Sequence, residues 1–307
     1  MNKKGNTIFW AVIACLLWST AYAGIKLGLQ YDKPFHFAGV RFIISGIIIL
    51  PFTVSPRLYL KSVKENWRVI AMVTFLQMIV NYSLFYLGLQ LVPGALGAVI
   101  AGSQPLVTAL LAALLHEGDK LTGKKVVTII CGITGVILIS AGRQVFRFGT
   151  TMELVGVGMI LIANIALSLG NIIVSLRSRG INPFVLSSSA LFSGGLILWL
   201  ISIPVEGFPA EPFPIDYWLI LLWLSFMAAC AFSIWFKLLQ RPGVKVSELN
   251  LWKFIIPVAG AILSWLLVPD EKPEWITISG IVIITGSLIM FFRSTKESHS
   301  NSQSDQL

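Results

Sequence analysis

Residues 32–50, DKPFHFAGVRFIISGIIIL, and residues 181–199, INPFVLSSSALFSGGLILW, read alike at an offset of 149. Pro34-Phe35 falls on Pro183-Phe184, and Gly46 falls on Gly195. Further on, QPLVTALLAALLHEGDK (104–120) resembles IPVAGAILSWLLVPDEK (256–272) at an offset of 152, so that Pro105 meets Pro257 and Lys120 meets Lys272. A near-constant offset over most of a chain is the mark of two copies of one unit.

What each copy contains follows from hydropathy. Of the 307 residues, 56% are hydrophobic and 12% charged, with a mean hydropathy of +0.82; soluble domains carry about 25% charged residues. Apolar windows able to cross a ~30 Å hydrocarbon core fall at 8–28, 37–55, 68–91, 94–116, 124–142, 154–176, 184–203, 217–238, 247–268 and 275–292. Runs of this length close every backbone hydrogen bond within a helix, whereas barrel strands would alternate over about ten residues. The expected fold is therefore all-α and polytopic, with ten transmembrane helices in two five-helix units, residues 1–150 and 151–293, and a polar disordered tail, 294–307. Five is odd, so the second unit enters the membrane from the opposite side, giving an inverted repeat.

Positive charge orients the chain. With the N-terminus inside, sixteen basic residues lie on the cytoplasmic side, including Arg57, Lys61, Lys64, Lys120, Lys124 and Lys125, against four outside: Lys33, Arg143, Arg147 and Lys272. Both termini are then cytoplasmic. Lys3-Lys4, an apolar run and Ala21-Tyr22-Ala23 imitate a cleavable signal peptide, but cleavage would leave four helices against five and break the repeat.

The formal charge of +9 belongs to those loops, so no nucleic-acid partner is implied. Cys15, Cys131 and Cys230 all lie in apolar runs and read as packing residues. GDKLTGKK (118–125) imitates a phosphate-binding loop but ends in Lys125 where Ser or Thr should hold magnesium, and no strand precedes it. Asn81-Tyr82-Ser83 has the glycosylation pattern inside a span. His36, His116 and His299 do not cluster. No metal site, cofactor or enzyme is expected.

The residues that point to function are polar groups within spans. Asn164, Ser168, Asn171 and Ser175 are spaced to draw one stripe down a helix, and the offset of 149 carries them onto Cys15, Ser19, Tyr22 and Lys26. Thr74, Gln77 and Asn81 add polar groups in the third window. Lys253 stands inside LNLWKFIIP (249–257), where a charge costs roughly 2.5 kcal/mol or more at the bilayer centre. Asn250, Lys253, Pro257, Gly260 and Ser264 share a face by helical spacing. Two explanations compete: Lys253 snorkels to headgroups roughly 9 Å away, or it faces a polar cavity and binds an acidic group. Lys26 and Arg41 are placed nearer the outer mouth, and Trp18, Tyr22, Tyr82, Tyr86 and Trp252 can wall a ligand. Pro105 and Pro257, in paired helices, are candidate hinges.

The tryptophan in LLWSTAYAGIK (16–26) and the block QPLVTALLAALLHEGDKLTGKKVVTIICGITGVILI (104–139), set in two tandem units, resemble the EamA family of the drug/metabolite transporter superfamily. The resemblance rests on Pro105, Glu117 and Gly135, then Pro257, Glu271 and Gly286; Pro269-Asp270-Glu271 departs from the pattern and implies a differently shaped loop. It implies ten helices around a central cavity and a bacterial plasma-membrane exporter of amino acids or related small metabolites, working by alternating access. The substrate is then a small molecule, the surrounding partner is the lipid bilayer, and the coupling proton or ion and the oligomeric state are left open. The expected site comprises Lys253, Trp18, Ser19, Tyr22, Asn81, Asn164, Ser168, Asn171, Asn250 and Trp252. Alternatives are a nucleotide-sugar or phosphate-ester transporter of the same superfamily, and a non-transporting membrane sensor.

Overall fold

The computed structural model describes residues 3–92, 94–115, 117–141, 151–208, 212–267 and 273–304, and every regular element among them is a helix. In chain order these are α1 (Lys3–Gly28), α2 (Pro34–Ile49), α3 (Pro56–Glu65), α4 (Trp67–Val73), α5 (Asn81–Leu91), α6 (Gly94–Gly102) and α7 (Gln104–Leu115). There follow α8 (Gly123–Ala141), α9 (Thr151–Arg177), α10 (Pro183–Glu206), α11 (Ile215–Leu239), α12 (Val246–Leu251), α13 (Ile255–Leu267) and α14 (Trp275–Ser304). A π-helical segment, Thr74–Val80, joins α4 to α5, and a 3₁₀ turn, Trp252–Phe254, joins α12 to α13. Among the described residues eight stretches are long and apolar enough to cross a membrane, and two shorter apolar stretches, Gly5–Ala21 and Trp275–Phe291, lie in α1 and α14. The chain is a multi-pass membrane protein.

The surface is what lipid as solvent demands. Leu114 and Leu266 are 80% and 75% exposed, while Ser187, Ser188, Ser202 and Ser225 are buried. Helices in lipid gain nothing by hiding leucine from their surroundings, so they associate through small residues that permit close approach. α2 packs along α10, α8 along α14, α1 along α11, and α5 along α9. At the first crossing a Cβ on Gly39 would stand 2.6 Å from the Trp199 nitrogen; at the second, one on Gly280 would stand 2.6 Å from the Gly135 oxygen. Glycine is required there by backbone contact.

The two matched Pro-Phe helix starts are capped differently. At α10 the Asn182 side chain accepts from the Phe184 nitrogen at 2.9 Å, a local cap. At α2 no local side chain does this; the Glu206 carboxylate, from the far end of α10, accepts from Phe35 N at 2.8 Å and His36 N at 2.9 Å.

Three features differ from the reading of the sequence. The basic loop after α2 holds a surface helix, α3, with no buried residue. The final helix continues through Ser304, so residues 294–304 extend it where a disordered tail was expected; no Gly or Pro in that stretch interrupts it. Finally, Pro105 and Pro257 do not kink continuous helices. Each lies in the first turn of a new helix, α7 or α13, where its missing N–H is not needed. The side chains of Tyr22 and Lys26, His116, residues 142–150 with Arg143 and Arg147, and the Pro269-Asp270-Glu271 loop lie outside the described residues.

Candidate functional site

The polar groups of the interior meet where the broken helices cross α9. Gln104, the first residue of α7, donates from Nε2 to Thr108 Oγ1 at 2.7 Å, Asn250 Oδ1 at 3.3 Å and Ser168 Oγ at 3.4 Å. Thr108 and Ser168 hydroxyls lie 2.7 Å apart. Asn171 Nδ2 donates to Asn250 Oδ1 at 3.1 Å, and Gln77 Nε2 donates to Asn171 Oδ1 at 3.2 Å. All six side chains are buried. Gln77 stands in the π-helical segment, whose wider turn is a recurrent feature of functional sites. Of the residues singled out in the sequence, Ser168 and Asn171 of the α9 stripe and Asn250 of α12 meet here. Gln104 and Thr108 were missed; a glutamine directly before an intramembrane proline was the available signal. Three interior acceptors or hydroxyls, Gln77 Oε1, Gln104 Oε1 and Ser175 Oγ, have no protein partner.

Asn164 does something different. Its Nδ2 donates to the Ile100 carbonyl at 2.7 Å and lies 3.4 Å from Ser103 Oγ. The Ser103 hydroxyl also donates to Ile100 O, at 2.7 Å. Asn164 therefore ties α9 to the gap between α6 and α7, adding a donor to a carbonyl that also accepts from the Ser103 nitrogen and hydroxyl.

Lys253 occupies the other gap. Its Nζ lies 4.8 Å from the Trp235 ring centroid and 5.6 Å from that of Trp18. The two indoles meet edge-on, with centroids 5.1 Å apart. Cys15 is buried beneath this group, and Trp235 Nε1 has no partner. Among the described residues no carboxylate lies within 4.0 Å of the ammonium. These contacts set the ammonium against Trp18 of α1 and Trp235 of α11. Asn250 and Lys253, expected on one face, have different partners: Asn250 faces α7 and α9, and Lys253 faces α1 and α11. Residues three apart on an α-helix differ by about 60° around the axis, and the long lysine side chain reaches neighbours that the short asparagine does not. Trp235 was not read from the sequence; it is one tryptophan among ten.

The remaining expected residues are peripheral to both groups. Ser19 Oγ donates to Leu16 O of its own helix at 2.6 Å, and its backbone oxygen stands 4.0 Å from a Cβ built on Gly260. Asn81 Nδ2 donates to Gln77 O at 3.3 Å. Trp252 is half-buried against the main apolar cluster.

A buried ion pair fixes the segment that leads to Lys253. Asp119, in the loop between α7 and α8, accepts from Lys125 Nζ at 2.6 Å. It also accepts from the Ser247 nitrogen at 2.9 Å and from the Ser247 hydroxyl, in the first turn of α12. Burial alone would raise the Asp119 carboxyl, but the hydrogen bonds from Lys125 and Ser247 and the lysine charge outweigh it and hold the group below the usual carboxylate range.

Comparison with known proteins gives a consistent picture. A family model described as the EamA-like transporter family matches residues 5–141 and again 154–293. The uncharacterized transporter YvbV of Bacillus subtilis is 24% identical over 95% of this chain and 93% of its own. The "Probable amino-acid metabolite efflux pump" of Escherichia coli is 24% identical over 95% of this chain and 96% of its own. A solved crystal structure 19% identical in sequence superposes with a TM-score of 0.80, covering 92% of this chain and 95% of that one, a likeness of fold.

Proposed function

Because this chain belongs to the EamA-like transporter family, we propose that it is a secondary transporter exporting amino acids or related small metabolites across the bacterial plasma membrane. The observation that carries this reading is Lys253, a cation between Trp18 and Trp235 with no carboxylate beside it among the described residues. Cation–π contacts contribute about 0.5–2 kcal/mol each. Lys253 is half-buried, and withdrawing an ammonium part of the way from water carries a cost that ring contacts offset only partly. The difference favours an anionic group at Nζ, and the carboxylate of an amino acid or related metabolite supplies one. The buried Gln104, Ser168, Asn171 and Asn250 side chains and the unpartnered Gln77 and Gln104 oxygens offer donors and acceptors for the rest of a zwitterion. The name of the Escherichia coli relative, an amino-acid metabolite efflux pump, supports the same substrate class.

Transport proceeds by alternating access between two inverted five-helix repeats, 1–150 and 151–293, with both termini cytoplasmic. Three observations support this architecture. The family model matches twice. Exchanging the halves leaves the main packing pairs unchanged: α2 with α10 and α8 with α14 map onto themselves, and α1 with α11 maps onto α9 with α5. The interruptions ahead of Pro105 and Pro257 occupy matching places, and paired discontinuous helices provide paired bending points.

The test is uptake by proteoliposomes of a labelled panel of amino acids, organic acids, nucleotide sugars and organic cations, comparing wild type with Lys253→Ala. Saturable uptake of carboxylate-bearing solutes that the variant loses is expected. Uptake confined to cations, or indifferent to the substitution, would sink this substrate class.

A further inference from the structure

The short helix α12 is held at both ends by the first repeat. In its last turn Asn250 accepts from Gln104, the first residue of α7. In its first turn Ser247 donates to Asp119 from both its nitrogen and its hydroxyl. Asp119 and Ser247 are buried, at 0% and 1% exposure. Each of α7 and α12 lies beside an interruption, at Ser103 in one case and across Trp252–Phe254 in the other, so these contacts tie together the two discontinuous helices.

The charges are placed so that the Asp119 contact can part. Lys125, in the same repeat as Asp119, donates to it at 2.6 Å and to the Lys120 carbonyl at 2.9 Å. The ion pair is therefore complete within the first repeat. If α12 moves off, no charge is left alone, which is the costly outcome for a buried pair. Asp119 then exchanges the two Ser247 donors for water entering the opening, and such an exchange has a small net cost. Had the lysine stood on α12, parting would have stripped a buried charge of its partner. The other copy lacks these parts. The offset of 152 that pairs Pro105 with Pro257 sets Asp119 on Glu271, but Lys125 on Thr277 and Ser247 on Ala95, so the acid is repeated and neither side-chain donor is.

We propose that Asp119 and Ser247 form a latch between the repeats: made, as in the structure, it closes the mouth between the α7–α8 loop and α12, and its parting opens that mouth. Asp119 is thus a positioning residue of the transport cycle, and Lys125 neutralises it in both states. Because the other copy repeats neither donor, the latch weights the balance toward closure at this mouth. This rests on the alternating-access reading above, not on the role of Lys253, and adds to it the contact that sets the balance between the two states.

The experiment uses the full-length protein in proteoliposomes, with Cys15, Cys131 and Cys230 replaced by alanine in a background that retains uptake. Nitroxide labels go on cysteines introduced at the exposed Lys120 and Lys245 positions, one on each side of the latch. Pulsed electron resonance reads the distance between them, beside uptake of the labelled panel above. With the latch intact the short separation is expected to dominate. Ser247→Ala removes one donor to a charged acceptor and should raise the ratio of long to short separations about 10-fold; Asp119→Asn should raise it as well. Thermal unfolding of the same samples tells a gate from a plain tether, which would lower the melting temperature and leave the distances where they were. An unchanged distribution in Ser247→Ala overturns the proposal, whether or not Asp119→Asn folds. One short distance in every variant, beside intact uptake, removes this inference and leaves the exporter reading standing. Absence of uptake for every solute in the wild type removes both.

Discussion

Ahead of Pro105 the chain interrupts its helix at Ser103, and ahead of Pro257 it interrupts it across Trp252–Phe254. The first gap is closed by neutral hydrogen bonds: Asn164 and Ser103 both donate to the Ile100 carbonyl. The second holds a cation against two indoles. One backbone device therefore carries two chemistries. A satisfied carbonyl stabilises a break and asks for nothing further, whereas on the proposed function the ammonium at the second break is a place for an anionic group. The same sequence offset that aligns the prolines sets Lys253 on Ala101, so the charge is an addition to one copy and not a requirement of the fold.

The largest effect should come from the tether of the charged gap. Asp119→Ala leaves Lys125 buried with only the Lys120 carbonyl, at 2.9 Å, as partner. Breaking a buried pair in this way costs about 3–5 kcal/mol, to be read as lowered thermal unfolding in detergent. Lys125→Ala should cost less, because Asp119 keeps both Ser247 donors; equal losses would contradict the asymmetry. The Asp119 carboxyl is depressed in the fold, so its contribution is complete above the unfolded value of about 3.9 and is lost as pH falls through the lower folded value. Acid unfolding below about pH 4 should therefore be shallower in Asp119→Asn than in wild type.

Next comes Lys253→Ala, expected to reduce uptake efficiency about 10–100-fold, the worth of one hydrogen bond to a charged group. Its melting temperature should hold or rise, since a half-buried charge with no carboxylate beside it among the described residues is removed. Asn164→Ala reverses that pattern. It strips a donor from the first gap, and a loss of about 1 kcal/mol is expected, visible as a melting temperature lowered by about 2–4 °C. If Lys253→Ala destabilises more than Asn164→Ala, the contrast between the gaps fails. Ser103→Ala should have the smallest effect, about 0.5 kcal/mol, since Ile100 O retains Asn164.

Much of this molecule was legible in its residues. The π-helical segment around Gln77 was not, because its composition is that of any apolar helix. Helical spacing gave the Ser168, Asn171 and Asn250 directions around their own axes but not the partners that meet them, so Gln104 and Thr108 went unread. Asn250 and Lys253, placed on one face by spacing, meet different helices because spacing fixes direction around one axis and not the reach of each side chain or the neighbours that meet it.

The sequence alone determined where apolar stretches lie, that they are helical, and that Lys253 and the two prolines are exceptional. Lipid supplies no hydrogen bonds, so backbone satisfaction and the cost of charge are settled locally, residue by residue. Tertiary structure alone decided that Glu206 caps α2 while Asn182 caps α10, that Asp119 tethers α12, and that Trp18 and Trp235 enclose Lys253. Those contacts join residues far apart in the chain, and which side chains meet depends on how helices approach through their small residues, a relation between helices that no periodicity within one of them records.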